Sequence, residues 1–507
     1  MGDQQLTFVL VGTSVATTRP RSRDAGRTWR DVATVAWITR TYGRVLSRTH
    51  RAVTTLMTSW GPEGGDAVLY GLATLFALLT GLLGGLPGYR VWAWFAIGPY
   101  AAGALVSAYL GRRRKREAAA AAQGSHWGPA RVWILLFLLV GATLAPLSAE
   151  VALRNDGPTT SHVQPEVVVI AQAGQRLVNG KDLYSATVHD GHVQSAVPGE
   201  PTFESFFPYL PLMAVFGLPN IGKGPTRVTD TRVLFSIVTL IVVGAALLAL
   251  RAPRDRKLRA LQFITVLPTA ALPLATGGDD MPVVAFLLLA MVLAQRRRPG
   301  WSGIVLGVAS AMKFTAWPLA ALALFCARDR TGRRAPGRML LGIVGVAGPV
   351  VAPFAASTGR AFFDNVILFP LGLSGVASPA ASNLPGHVLV TELPFLHTAL
   401  PVAVAAVGGI LLVRRLWRRP PRTPADVVTL AGWIMLVAIV FAPATRVGYL
   451  LYPADFFAWG LLLKAADRTG ADGREVMAGT AVLAAGPASS APAPGGPGAG
   501  GPAPALE

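Results

Sequence analysis

Cysteine is almost absent. The 507 residues hold one, Cys326, so no disulfide can form within the chain and a cysteine zinc cluster is excluded. Charge is scarce too: Asp, Glu, Lys and Arg make up 14% of the chain, well below the roughly 25% of soluble globular domains. Acidic groups are the scarcer sign, 26 against 46 basic ones. Residues 1–18 lack a basic start, so no cleavable signal peptide is expected. What remains is apolar. Hydrophobic residues reach 52% and mean hydropathy is +0.47, which excludes disorder over most of the length and indicates a polytopic membrane protein. A net charge of +20 would suggest nucleic acid in a soluble protein. Here the basic residues cluster in short segments between apolar runs, where they set membrane topology, so no nucleic-acid partner is expected.

Residues 1–60 carry nine arginines and no run long enough to span a bilayer, and are expected to be a cytoplasmic segment. Runs 66–86 and 90–110 follow, then GRRRKR at 111–116, which marks the cytoplasm. Run 131–149 therefore exits, and the loop 150–205 faces outward with seven carboxylates. Later basic clusters at 251–259, 296–298, 328–338 and 414–422 make runs 231–250, 258–275, 281–295, 338–356, 395–413, 427–443 and 446–464 alternate across the membrane. About ten crossings result. Residues 206–219 are too short to cross, and 301–327 enter and leave on the basic side, predicting two short helices broken near Lys313 and Phe314. Such a break is tolerated only where protein or a polar cavity surrounds it. The expected organisation is a segment 1–60, two extra transmembrane helices in 61–130, a transmembrane core over 131–464, and a disordered Ala/Gly/Pro-rich tail over 465–507.

Gln164 to Tyr184, QPEVVVIAQAGQRLVNGKDLY, reads as an amphipathic helix lying at the membrane surface. Pro165 suits its first turn and Gly180 its end. Val167, Ile170, Gly174, Leu177 and Val178 are expected on its apolar face. Three other features converge on the same side of the membrane: FFPYLPL at 206–212, GGDD at 277–280 and ATRVGYLLYP at 444–453. Lys313 approaches them from within the bilayer. Phe206, Phe207 and Tyr209 read most simply as an interfacial aromatic belt. His162, His189 and His192 are too irregular for a metal site.

The pattern E-x-x-x-x-x-x-A-x-x-x-L-x-x-G-x-D-L-Y at 166–184 resembles the first-loop motif of GT-C-fold polyprenyl-phosphate-sugar glycosyltransferases, most closely glycosyltransferase family 87, which includes bacterial mannosyltransferases. FFPYLPL resembles that family's Tyr-Pro-Pro-Leu segment, and GVASAMKFTAWPLAALALF at 307–325 its Gly-rich helix, Lys-Pro break and second short helix. The resemblance spans about 131–464. The chain departs from the family in carrying Glu166 in place of an aspartate, GGDD in place of Gly-Gln-x-Asn, and Arg446 with Tyr449 where a His-Tyr pair is common.

The resemblance implies an all-α, GT-C-like multi-pass protein of the cell membrane with its catalytic loop extracytoplasmic. It would move a sugar, mannose first, from a polyprenyl-phosphate donor to a lipid or glycan acceptor with inversion, and without an organic cofactor; a divalent metal is left open. Glu166 is the expected general base, with a favourable helix N-terminal charge as its simpler role. Asp156, Asp182, Tyr184, Tyr209, Asp279, Asp280, Lys313, Arg446 and Tyr449 are the expected substrate-binding residues. Arg446 or Lys313 would meet the donor phosphate; Asp279 and Asp280 would take sugar hydroxyls or a cation; Asp182 has a turn cap as its plainer reading. A secondary transporter or lipid flippase, which also uses broken helices and midplane charges, is the rival reading. A non-catalytic homologue, suggested by the departures, is the third.

Overall fold

The computed structural model describes residues 61–119, 128–156, 162–189, 192–194, 201–221, 226–376, 378 and 380–484. The Arg-rich segment 1–60, the loop carboxylates Asp190 and Glu200, and residues 485–507 lie outside the described residues. Among the described residues sixteen α-helices dominate, and the one sheet is a two-stranded antiparallel hairpin, β1 (Thr187–His189) with β2 (His192–Gln194), in which Val188 faces Val193.

The first helices, α1 (Gly61–Leu83) and α2 (Pro87–Ala119), pack together and against a third span. That span joins α3 (Gly128–Leu138), a π-turn at Leu139–Leu144 and α4 (Ala145–Asn155). The amphipathic helix α5 (Pro165–Val178) follows, then 3-10 turns at Thr202–Ser205 and Pro211–Asn220. Next come α6 (Thr231–Ala249), α7 (Arg254–Thr265), α8 (Pro268–Thr276), α9 (Asp280–Gln295) and α10 (Pro299–Met312). After a 3-10 turn at Phe314–Ala316 the chain continues as α11 (Trp317–Thr331), α12 (Ala335–Phe363), α13 (Pro385–Glu392), α14 (Leu396–Arg418), α15 (Pro424–Phe441) and α16 (Leu451–Ala484).

Among the described residues, seven helices are long and apolar enough to cross a membrane. The expectation of about ten crossings is not reached, for local reasons. Run 258–275 is divided: Pro268 biases Leu267 to extended backbone (φ −74°, ψ 155°), and α7 and α8 meet at 41°. As one bent span they would make an eighth. Run 281–295 yields a helix of 16 residues, shorter than the ~20 a bilayer asks for. Run 446–464 opens in a 3-10 turn at Val447–Leu450 before α16 begins. The break near Lys313 is present between α10 and α11, with Lys313 itself extended. The last helix continues to Ala484, beyond the 465 start expected for the tail.

One apolar core runs through α5, the 211–220 turn, α6 to α12, α15 and α16, and a second joins α1 to α4 with α8. The two helices in front of the core are tied to it by charge as well. Arg131 reaches Asp66 at 2.6 Å and Asp255 at 2.6 Å, and Arg259 reaches Asp66 at 2.8 Å. Phe206, Phe207 and Tyr209 are all buried, which corrects the aromatic-belt expectation. Phe206 stacks on Phe369, and the Phe207 N–H donates to Asn365 Oδ1 at 2.7 Å.

Candidate active site

Glu166 owes its place to the way α5 starts and is held. Pro165 occupies the first turn, where its missing N–H costs nothing. The helix ends in a Schellman arrangement: Lys181 N–H to Arg176 O at 2.9 Å, Gly180 N–H to Leu177 O at 3.3 Å, with Gly180 at φ +64°. Its buried face is Val167, Val169, Ile170, Ala173 and Gly174, while Val178 points outward, so the apolar face is turned from the one expected. The reason is the covering element. α5 lies against the 211–220 turn, with Gly174 and Gly217 so close that a Cβ on either would overlap the other segment's backbone. Gln164, just before the helix, donates its N–H to Thr276 O at 2.9 Å, and its amide reaches Tyr89 Oη at 2.9 Å and Thr276 Oγ1 at 3.1 Å. These bonds dock the Glu166 end of α5 beside the turn between α8 and α9.

Across from it stands Arg446. The loop that carries it is pinned by Thr445, whose N–H donates to Ala380 O at 2.7 Å and whose hydroxyl donates to Ile439 O at 2.8 Å. Arg446 Nη1 lies 2.5 Å from Glu166 Oε1. The other carboxylate oxygen, Glu166 Oε2, is buried and has no hydrogen-bond partner among the described residues. Burial works against the Arg446 charge, but Glu166 more than offsets it and holds the guanidinium above the usual arginine range.

A second ionic group sits alongside. Gly278, at φ +84°, turns the chain so that Asp279 and Asp280 open α9. Lys313, at the break after α10, places its Nζ 2.6 Å from Asp279 Oδ2 and 2.6 Å from Asp280 Oδ1. Tyr452 donates to Asp280 Oδ1 at 2.6 Å and pairs with Thr315 Oγ1 at 2.7 Å. The rings of Tyr209 and Tyr449 flank the ammonium, at 5.2 and 5.8 Å from Nζ to centroid. Tyr449 also feels Arg446 and Glu166, so it links the two groups. Burial pushes the Tyr449 and Tyr209 hydroxyls up, leaving both as neutral donors. With two carboxylates to one ammonium, the Lys313 group is net negative when all three ionise; the Glu166–Arg446 pair is neutral.

The fold thus gathers Glu166, Tyr209, Asp279, Asp280, Lys313, Arg446 and Tyr449 of the expected residues. Three others stand apart. Asp156 is exposed at the end of α4 and Asp182 is exposed after α5. Tyr184 is buried and donates its hydroxyl to Tyr209 O at 2.8 Å, so it supports Tyr209 from behind. Sequence reasoning missed Tyr452, Gln164 and Tyr89. Tyr452 lay within the ATRVGYLLYP stretch. Among the described residues no group of three or more His, Cys, Asp or Glu side chains is placed to hold a metal ion.

An extracted pair of ionic groups where a broken helix, a docked surface helix and a pinned loop meet suits either an enzyme or a transporter. The family comparison favours the enzyme. Residues 207–443 match the model of glycosyltransferase family 87. The family read from the motifs is the one found, over a shorter stretch than 131–464. Tyr209, Asp279, Asp280 and Lys313 lie inside the matched residues; Glu166, Arg446 and Tyr449 lie outside them and join the site only through the fold. Neither the curated proteins nor the solved structures yield a match.

Proposed function

We propose that this protein is a membrane glycosyltransferase that moves a sugar from a polyprenyl-phosphate donor to an extracytoplasmic lipid or glycan acceptor, with inversion, and that mannose is the sugar. The glycosyltransferase family match over 207–443 supports the reaction class. The observation that carries the mechanism is the asymmetry of Glu166: one oxygen is paired with Arg446, and the other is buried and unpartnered.

In this reading the donor phosphate meets Arg446, whose planar fork suits a phosphate. Lys313 is the poorer candidate because Asp279 and Asp280 already pair with it. Those two carboxylates are better suited to accept hydrogen bonds from sugar hydroxyls. Glu166 Oε2 takes the proton of the acceptor hydroxyl as that oxygen bonds to the anomeric carbon. The bond from the same carbon to the phosphate oxygen breaks, and the polyprenyl phosphate leaves with its new negative charge facing Arg446. Attack from the side opposite the leaving phosphate inverts the carbon. The test is incubation of the purified protein with labelled polyprenyl-phosphomannose and an extract of membrane lipids and glycans. Label in a new product supports the reading; label retained wholly on the donor, with correctly folded protein, contradicts it.

A further inference from the structure

We infer that Arg232 is a positioning residue for the site proposed above, setting the spacing between the Glu166 helix and the Asp279–Asp280 turn. The inference rests on that functional reading. Arg232 lies in the first turn of α6 and is fully buried. One edge of its guanidinium is forked onto Asp230, Nε to Oδ1 at 2.9 Å and Nη2 to Oδ2 at 2.9 Å. Asp230 is itself held by the Arg232 backbone N–H at 3.0 Å and by Arg154 Nη1 at 2.8 Å. Burial favours a neutral Asp230, but Arg232 and Arg154 more than offset it and keep the carboxyl below its usual range. The fork is therefore fixed in direction before it touches anything else.

Its free nitrogen, Nη1, then donates to two carbonyls from separate parts of the chain: His162 O at 2.9 Å and Ala275 O at 3.2 Å. Glu166 stands four positions after the first of these, and Asp279 four positions after the second. The two segments also meet directly, through Gln164 and Thr276. His162 adopts φ +53°, a backbone conformation few side chains favour, so its carbonyl needs an outside partner to hold its direction. Arg232 supplies that partner, and buried Glu150 faces the His162 ring with Oε2 3.3 Å from Nδ1. A single planar cation thus joins the segment entering α5 to the end of α8. Folding of an isolated helix does not ask for a buried arginine at the start of a membrane run, where its burial is costly.

The test uses the full-length protein in lipid nanodiscs with Arg232→Gln and Arg232→Lys, lysine keeping the charge but losing the fork. Two readouts are taken. In the transfer assay, kcat falls about 10²-fold in Arg232→Gln, the scale of an ångström-sized misplacement, with KM for polyprenyl-phosphomannose little changed; Arg232→Lys falls between Arg232→Gln and the parent. In the second, spin labels at Gln175→Cys and Arg296→Cys, both exposed positions, are placed in a Cys326→Ala background. They report the distance from α5 to the far end of α9, and its distribution broadens in both Arg232 variants. An unchanged distribution, or an unchanged kcat beside a broadened one, overturns the inference. If the parent protein transfers no sugar, the functional reading fails, and the distance measurement still decides whether Arg232 sets the spacing.

Discussion

Two cations stand in this site, and their surroundings assign them different work. Arg446 and Glu166 form a one-to-one pair whose side chains keep 15% and 17% of their surface exposed. In the proposed reading the donor phosphate shares that guanidinium. Lys313 is held by two carboxylates that are each 8% exposed, flanked by two tyrosine rings. Removing it strands Asp279 and Asp280 side by side, so Lys313→Met is expected to destabilise the protein by about 3–5 kcal/mol, the usual consequence of breaking a buried ion pair. A thermal unfolding midpoint within a degree of the parent's would contradict that assignment. Arg446→Ala should instead leave the fold largely intact and raise KM for the donor, by about 10-fold or more for a lost charge-assisted bond worth roughly 1.5–3 kcal/mol. Arg446→Lys should recover part of the loss, since charge returns without the fork. Equal KM values in the parent and both variants would remove Arg446 from the donor site.

At the scale of the element, α5 is held by shape. Gly174 and Gly217 let the helix and the 211–220 turn touch backbone to backbone. Gly217→Val is expected to push α5 away at a cost of about 1–3 kcal/mol, typical of overpacking, and to lower sugar transfer with it; unchanged stability and turnover would show that the contact is dispensable. Helices of this kind were legible in the sequence because their ends are written in local chemistry: Pro165, Gly180 and the extended Lys313 needed no knowledge of the rest of the chain. Which face of α5 turns inward was not legible, since Val169 rather than Val178 is buried only because the 211–220 turn lies where it does. The aromatic segment misled for the same reason. Phe206 and Phe207 have the composition of a membrane-interface belt, and only Asn365 and Phe369, more than a hundred residues away in sequence, draw them into the core. Asp279, Asp280 and Lys313 could be named one by one, but their pairing could not, because it depends on α9 and α10 meeting at the break. Asp156 and Asp182 shared the loop and the charge of Glu166 yet are exposed, a difference set wholly by docking.

For the molecule as a whole, the reading to be tested is that the α5 loop lies on the side opposite the basic 251–259 cluster. In a Cys326→Ala background, Lys181→Cys should react with an impermeant thiol reagent added to intact cells, and Arg256→Cys should not; both positions are exposed. Labelling at 256 alone would invert the orientation. Within that frame α14 has no residue buried in the chain, as expected of a helix whose surroundings are lipid. The short helices α8, α9 and α10 meet at the site, and the first turn of the long α16 completes it through Tyr452. The central claim is that Glu166 removes a proton from the acceptor while a polyprenyl-phosphate sugar is the donor. It is tested most directly by transfer of label from polyprenyl-phosphomannose by purified parent protein, Glu166→Gln, Glu166→Asp and Asp156→Asn. Glu166→Gln keeps the shape of the side chain and loses proton acceptance, so turnover should fall by about 10²–10⁴-fold, the scale of a positioned base. Glu166→Asp should retain measurable turnover, and Asp156→Asn should match the parent. Normal turnover by a folded Glu166→Gln protein would contradict the account.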